Sequence, residues 1–214
     1  MRAGIHICAM TVAAILLGAA MACADFVSDA LTDLQAYLKA ATTLVGQASA
    51  GLDKADLAAL APKDRDAAKR SLQTLSTQLG DLFIGQSSLV RQIEFYVGVA
   101  KDESKSEQDK TGYWQSAVQP EIINVRKAVS GVMAFVAATN LLTVTLSAED
   151  NLGLRDNLRA RSIAIRKFEN MPAPISRQDV LQLEGLVADY RVLVDNLFKL
   201  RLAIGKAQQR LDGT

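Results

Sequence analysis

The sequence predicts an all-α protein: an elongated, antiparallel four-helix bundle in up-down-up-down order, with coiled-coil-like seams. Three observations carry this. Apolar residues recur every three or four positions over long stretches, no stretch alternates apolar and polar residues strictly, and no Asn-Gly or Asp-Gly pair joins alternating segments into a hairpin.

The first 24 residues stand apart from the bundle. Arg2 and His6 lead into an uncharged run, 7–22, that ends in small residues, which is the pattern of a secretory signal peptide. Cleavage is expected after Ala24, since Ala22 and Ala24 meet the small-x-small rule. The competing site, lipidation at Cys23, lacks the usual Leu three places earlier, where Ala20 stands. The apolar stretch, about 16 residues, is shorter than the roughly 20 that span a bilayer, and no basic cluster follows it. The expected compartment is therefore the periplasm or the exterior.

Residues 25–214 are expected to form a single helical domain. Removing the leader takes away Arg2, the only His and both Cys (Cys8 and Cys23), leaving 23 basic and 23 acidic residues. That composition excludes a disulfide framework, a Cys/His zinc site, haem attachment, Ser-His-Asp or Cys-His nucleophilic machinery, and the Glu-x-x-His pairs of a ferritin-like di-iron bundle. No catalytic, cofactor-binding or metal-ligating residue is assigned, and balanced charge argues against a nucleic-acid partner.

In the first helix Val27, Ala30, Leu34, Leu38, Ala41, Val45 and Ala48 share one stripe. Gly46 and Gly51 are expected to loosen it, and a short piece over 54–60 leads to Pro62. Pro62 at a first helical position, with Asp64 and Asp66 in the first turn, marks the second start. From there Ala68, Leu72, Leu75, Leu79, Leu82, Gln86, Leu89, Ile93, Tyr96 and Ala100 alternate steps of four and three, predicting an unbroken rod over 62–102 roughly 60 Å long. Gln86 is the polar residue of that seam and a candidate for setting register.

Residues 101–112 contain no apolar side chain and are expected to form an exposed connection, with room for a frayed helical start. The third helix is expected to start near Pro120, with Ile122, Val125, Val129, Val132 and Val136 in its seam, and to break near 143–150, where Thr143, Val144 and Thr145 have poor helix propensity. Ser147 and Asp150 resemble a capping box that restarts a helix through Leu154, Leu158 and Ile165 to Phe168. Ser176 and Asp179 repeat the arrangement after a turn with two prolines. The last seam runs through Leu183, Leu186, Tyr190, Leu193, Leu197, Leu200, Ile204, Ala207 and Leu211.

A long helical domain without catalytic groups points to a function in binding: a scaffold, adaptor or chaperone-like factor with a protein partner or a second copy of itself. Candidate partner or lipid contacts are Tyr113 and Trp114, aromatic residues at a helix entrance, and the basic residues Arg155, Arg159 and Arg166. The arginines belong to an asymmetry in which 25–152 carries net charge −4 and 153–214 carries +4; pairing between helices of one bundle is the expected use of that charge. The alternative function is membrane-active, as in helical pore formers. It would use the uncharged run 128–148, which has membrane length but contains Asn140 and three threonines; burial in the bundle core is the expectation for that run.

Overall fold

The computed structural model describes the backbone over residues 4–84, 86–139, 141, 145–164, 166 and 171–213, and side-chain surroundings from residue 26 onward except 81–89 and 164. Among these residues all regular structure is helical: α1 (Gly4–Lys54), α2 (Pro62–Ile84), α3 (Gln86–Lys101), α4 (Glu107–Tyr113), a π-turn (Trp114–Val118), α5 (Gln119–Thr139), α6 (Ala148–Ala164) and α7 (Arg177–Asp212).

α1 carries the expected leader and the first seam in one continuous helix, and every residue of the predicted stripe from Val27 to Ala48 is buried. Gly46 and Gly51 do not loosen it. Gly51 is itself buried because Leu141 packs against it so closely that a Cβ there would lie 3.0 Å from both the Leu141 side chain and its carbonyl oxygen. The chain leaves α1 at Lys54, and 55–61 form a turn held by Asp56, which accepts from Ala59 N–H, and by Arg65, which donates to the Ala58 and Leu60 carbonyls.

α2 starts at Pro62 as its sequence dictates. Leu72, Leu75, Leu79, Ile93, Tyr96 and Ala100 all point into the core. The rod is described as two helices, α2 ending at Ile84 and α3 beginning at Gln86. The side chains of Leu82, Gln86 and Leu89 lie outside the described residues, and the register role of Gln86 with them.

The third rod begins well before Pro120. Ser106 caps α4 by accepting from Asp109 N–H at 3.1 Å, and the Asp109 carboxylate accepts in return from Ser106 N–H. This reciprocal pair starts a helix inside the stretch expected to be an open connection. The helix then widens into the π-turn, where Gln119 N–H reaches the Trp114 carbonyl. The widening falls just before Pro120, whose ring would crowd the carbonyl of residue 116 in a regular α-turn.

The expected break is a reversal. α5 ends at Thr139, α6 starts at Ala148 behind the Ser147 cap, and Ser130, Met133, Ala134 and Ala137 of α5 face Leu152, Arg155, Asp156 and Arg159 of α6. Among the described residues the helices therefore form five successive rods where four are expected. With each rod reversing the one before, an odd number leaves the first and last parallel. Ser28, Gln35 and Thr42 of α1 meet Gln182, Asp189 and Asn196 of α7, always 154 residues apart.

α7 runs antiparallel to the α2–α3 rod instead: Lys69 pairs with Asp212 and Gln73 with Gln208, then Glu94 with Arg191 and Lys101 with Glu184. The core is a ring of four rods, with α1 packed against α7, α7 against α2 and α3, α2 against α5, and α5 against α1. α6 lies outside the ring against α1. Every predicted seam residue of α7 is buried.

Candidate functional site

α6 owes its start to Ser147, whose Oγ accepts from Asp150 N–H at 3.1 Å. Its stripe toward the bundle is narrow: Leu158 is buried and Leu154 partly so, while Ile165 and Phe168 lie outside the described residues. The helix turns a second apolar pair outward, with Leu152 59% and Ile163 64% exposed. At 100° per residue these two and Arg159 fall on one face, with Arg155 at its edge.

Two of the five sequence-predicted contacts, Arg155 and Arg159, are thus brought together on α6, while Arg166 lies past its end. None of them makes an ion pair with a described carboxylate. Of the described ion pairs between helices, Arg191–Glu94 joins a base of 153–214 to an acid of 25–152 as expected, whereas Lys69–Asp212 and Lys101–Glu184 run the other way. Arg161, on the other side of α6, donates to Asn157. Between α6 and α5 runs an open groove of about 340 Å³, with Met133, Ala134 and Ala137 as its apolar wall and Arg155 and Arg159 on its rim. Sequence reasoning missed Leu152 and Ile163. Their signal was present: they lie off the Leu154–Leu158–Ile165 stripe, so burying one set exposes the other.

Tyr113 and Trp114 lie at the other end of the described rod and do not join the arginines. Trp114 is 0% exposed; its Nε1–H donates to the Met171 carbonyl at 3.3 Å, and its ring packs 5.0 Å from that of Tyr96. It is an interior anchor, and a surface contact through its ring is ruled out by that burial. Gln119 donates to the same carbonyl and Tyr96 to that of Pro174, so the proline-rich turn is tied to the aromatic cluster. Tyr113 is half-buried, bonded to Gln92 and packed beside the exposed ring of Phe95; burial raises its phenol pKa.

A second polar group lies inside the bundle, where Tyr37 of α1 lies beside Ser162 of α6 and Arg126 of α5, and Tyr190 of α7 lies near Tyr37. Burial pushes the Tyr37 phenol up, Ser162 and Arg126 drawing it the other way, and burial followed by Tyr37 pushes Tyr190 up. Neither ring presents a reactive anion near neutral pH.

The uncharged run 128–148 is described over 128–139, 141 and 145–148. Ala128, Val129, Val132, Phe135, Val136 and Leu141 are buried in the core. The helix from Glu107 to Thr139 is long and apolar enough to cross a membrane by length and composition. Among the described residues no group of His, Cys, Asp and Glu is arranged to hold a metal ion. Comparison with protein families, with characterised proteins and with solved structures gave no match.

Proposed function

We propose that the chain is an exported helical-bundle protein that acts without catalysis, as a scaffold, adaptor or chaperone-like factor, binding a protein partner through the outward face of α6. The observation that supports this best is the exposure of Leu152 and Ile163 beside Arg155 and Arg159, neither of which forms an ion pair with a described carboxylate. Apolar side chains framed by arginine are the ordinary composition of an interface, where Arg supplies both charge and contact area. The partner this face suits carries apolar side chains flanked by carboxylates. Export rests on the leader: Arg2, the uncharged run and the small residues before Asp25.

The test is affinity isolation of the tagged protein from envelope fractions, beside Leu152→Asp/Ile163→Asp and Arg155→Glu/Arg159→Glu variants. The expected result is one protein captured by the parent, lost from both variants, and released by salt because the arginines are exposed. The intact mass is expected to correspond to a chain starting at Asp25. Equal capture by all three forms would overturn the α6 assignment. Release of dye from lipid vesicles by the purified protein would replace the binding function with the membrane-active one.

A further inference from the structure

Among the described residues, the end of the bundle where α1 stops and α2 begins leaves space unfilled. A cavity of about 550 Å³ opens between the 55–61 turn, the first turns of α2 and the last turn of α5. Its origin is local. α2 presents Ala67 and Ala68 there and α5 presents Ala138, so facing rods that elsewhere interlock Leu and Val meet through methyl groups and leave a gap. Leu57, Leu72, Phe135 and Leu141 form the inner walls. The volume lies within the range of small-molecule sites, and apolar walls hold water poorly.

Charge narrows the ligand. Among the described residues Asp56 and Asp64 are the lining's charged side chains, and none of the lining is basic. Asp56 uses its Oδ1 to accept from Ala59 N–H, within the turn. Asp64 makes no hydrogen bond or ion pair with a described residue and stands exposed in the first turn of α2, at the cavity's edge. Arg65 follows it in sequence, but its guanidinium is directed to the Ala58 and Leu60 carbonyls. Ser71, two turns along α2 from Asp64, adds a hydroxyl to the lining.

We propose that this cavity is a binding site for a small hydrophobic amine, whose apolar body lies against Phe135, Leu57 and Leu72 and whose ammonium group pairs with Asp64. The site is separate from the α6 face, and either can fail without the other. A carboxylate ligand of the same shape meets two negative charges at the mouth and is disfavoured, and a neutral alcohol lies between the two.

Isothermal titration with 4-phenylbutylamine, 4-phenylbutanol and 4-phenylbutanoate at neutral pH and low salt tests this. The amine is expected to bind at least tenfold more tightly than the acid, with the alcohol intermediate. Asp64→Asn is expected to weaken the amine about fivefold or more and leave the alcohol unchanged. Ala138→Leu, on an exposed position of α5 that faces the gap, is expected to abolish binding of all three, with Ala67→Leu as a second filling variant and helix content checked for each. No binding of the amine, equal binding of amine and acid, or an unchanged amine affinity in Asp64→Asn would each overturn the proposal.

Discussion

Gln35 in α1 donates from Nε2 to the carboxylate of Asp189 in α7 at 3.3 Å, 154 residues away. One heptad earlier the same separation joins Ser28 to Gln182, and one heptad later it joins Thr42 to Asn196, whose amide donates to the Thr42 carbonyl. A constant separation at seven-residue steps is the signature of two helices running parallel in fixed register. At the far end Arg210, in the last turn of α7, donates to the Leu52 and Ala55 carbonyls, closing the C-terminus of α1. Leu52 lies in the last turn of α1, so the contact satisfies a carbonyl that the helix end leaves open, while Ala55, just past that end, also accepts from Leu57 N–H.

The parallel register makes a direct prediction. In a background with Cys8 and Cys23 replaced by Ser, the pairs Ser28→Cys/Gln182→Cys and Thr42→Cys/Asn196→Cys are expected to link rapidly with a short bismaleimide. The crossed pair Ser28→Cys/Asn196→Cys is two heptads out of register, about 21 Å along the axis, and is expected not to link. Gel mobility after brief reaction reads the result. Efficient linking of the crossed pair alone would mean that α1 and α7 run antiparallel.

Leu79 and Leu197 are fully buried in the α2 and α7 seams. Leu79→Asp and Leu197→Asp each place an unpaired charge there and are expected to cost about 3 to 5 kcal/mol, enough to unfold many domains of this size. Lys105→Ala, at an exposed position before α4, is expected to change stability by less than about 0.5 kcal/mol. Thermal melts followed by far-ultraviolet circular dichroism compare the three variants with the parent.

Two glycines give opposite expectations for the same substitution. Gly185, exposed on α7, has open space where a Cβ would go, so Gly185→Ala is expected to stabilise the protein by about 0.5 to 1 kcal/mol through helix propensity. Gly51→Ala gains the same propensity but drives a methyl to 3.0 Å from the Leu141 side chain and carbonyl, and is expected to destabilise by about 1 to 3 kcal/mol. Denaturant midpoints of opposite sign relative to the parent check the pair.

Burial raises the phenol pKa values of Tyr37, Tyr96 and Tyr190 above the ordinary value of 10.0. The unfolded chain ionises these groups first. Their contribution to stability is therefore complete below about pH 10 and is lost as the pH rises through and beyond that value. Absorbance at 295 nm is expected to show the three phenols ionising together, in the same pH interval in which helix content is lost. Ionisation near pH 10 with the helices intact would place these rings in contact with solvent.

Which residues face inward is readable from spacing alone, because helical periodicity is a local property: Val27 to Ala48, Leu72 to Leu79, Ile122 to Val136 and Leu183 to Leu211 are legible as stripes and are buried as stripes. It also marked where helices begin when a hydroxyl and a carboxylate stood three residues apart before an apolar run, as at Ser147 and Ser176. The same pattern at Ser106 and Asp109 was obscured by the charged residues around it. Direction and partnership come from packing between helices. An apolar stripe has the same period whether its neighbour runs parallel or antiparallel, so nothing within α1 or α7 specifies that they run together; that follows from the reversal between Thr139 and Ala148, which makes the rods five. The candidate sites divide in the same way. Arg155, Arg159 and Arg166 could be read from the chain as a basic cluster. The groove that α5 forms beside Arg155 and Arg159, the burial of Trp114, and the cavity edged by Asp64 depend on contacts between different helices, brought together by packing.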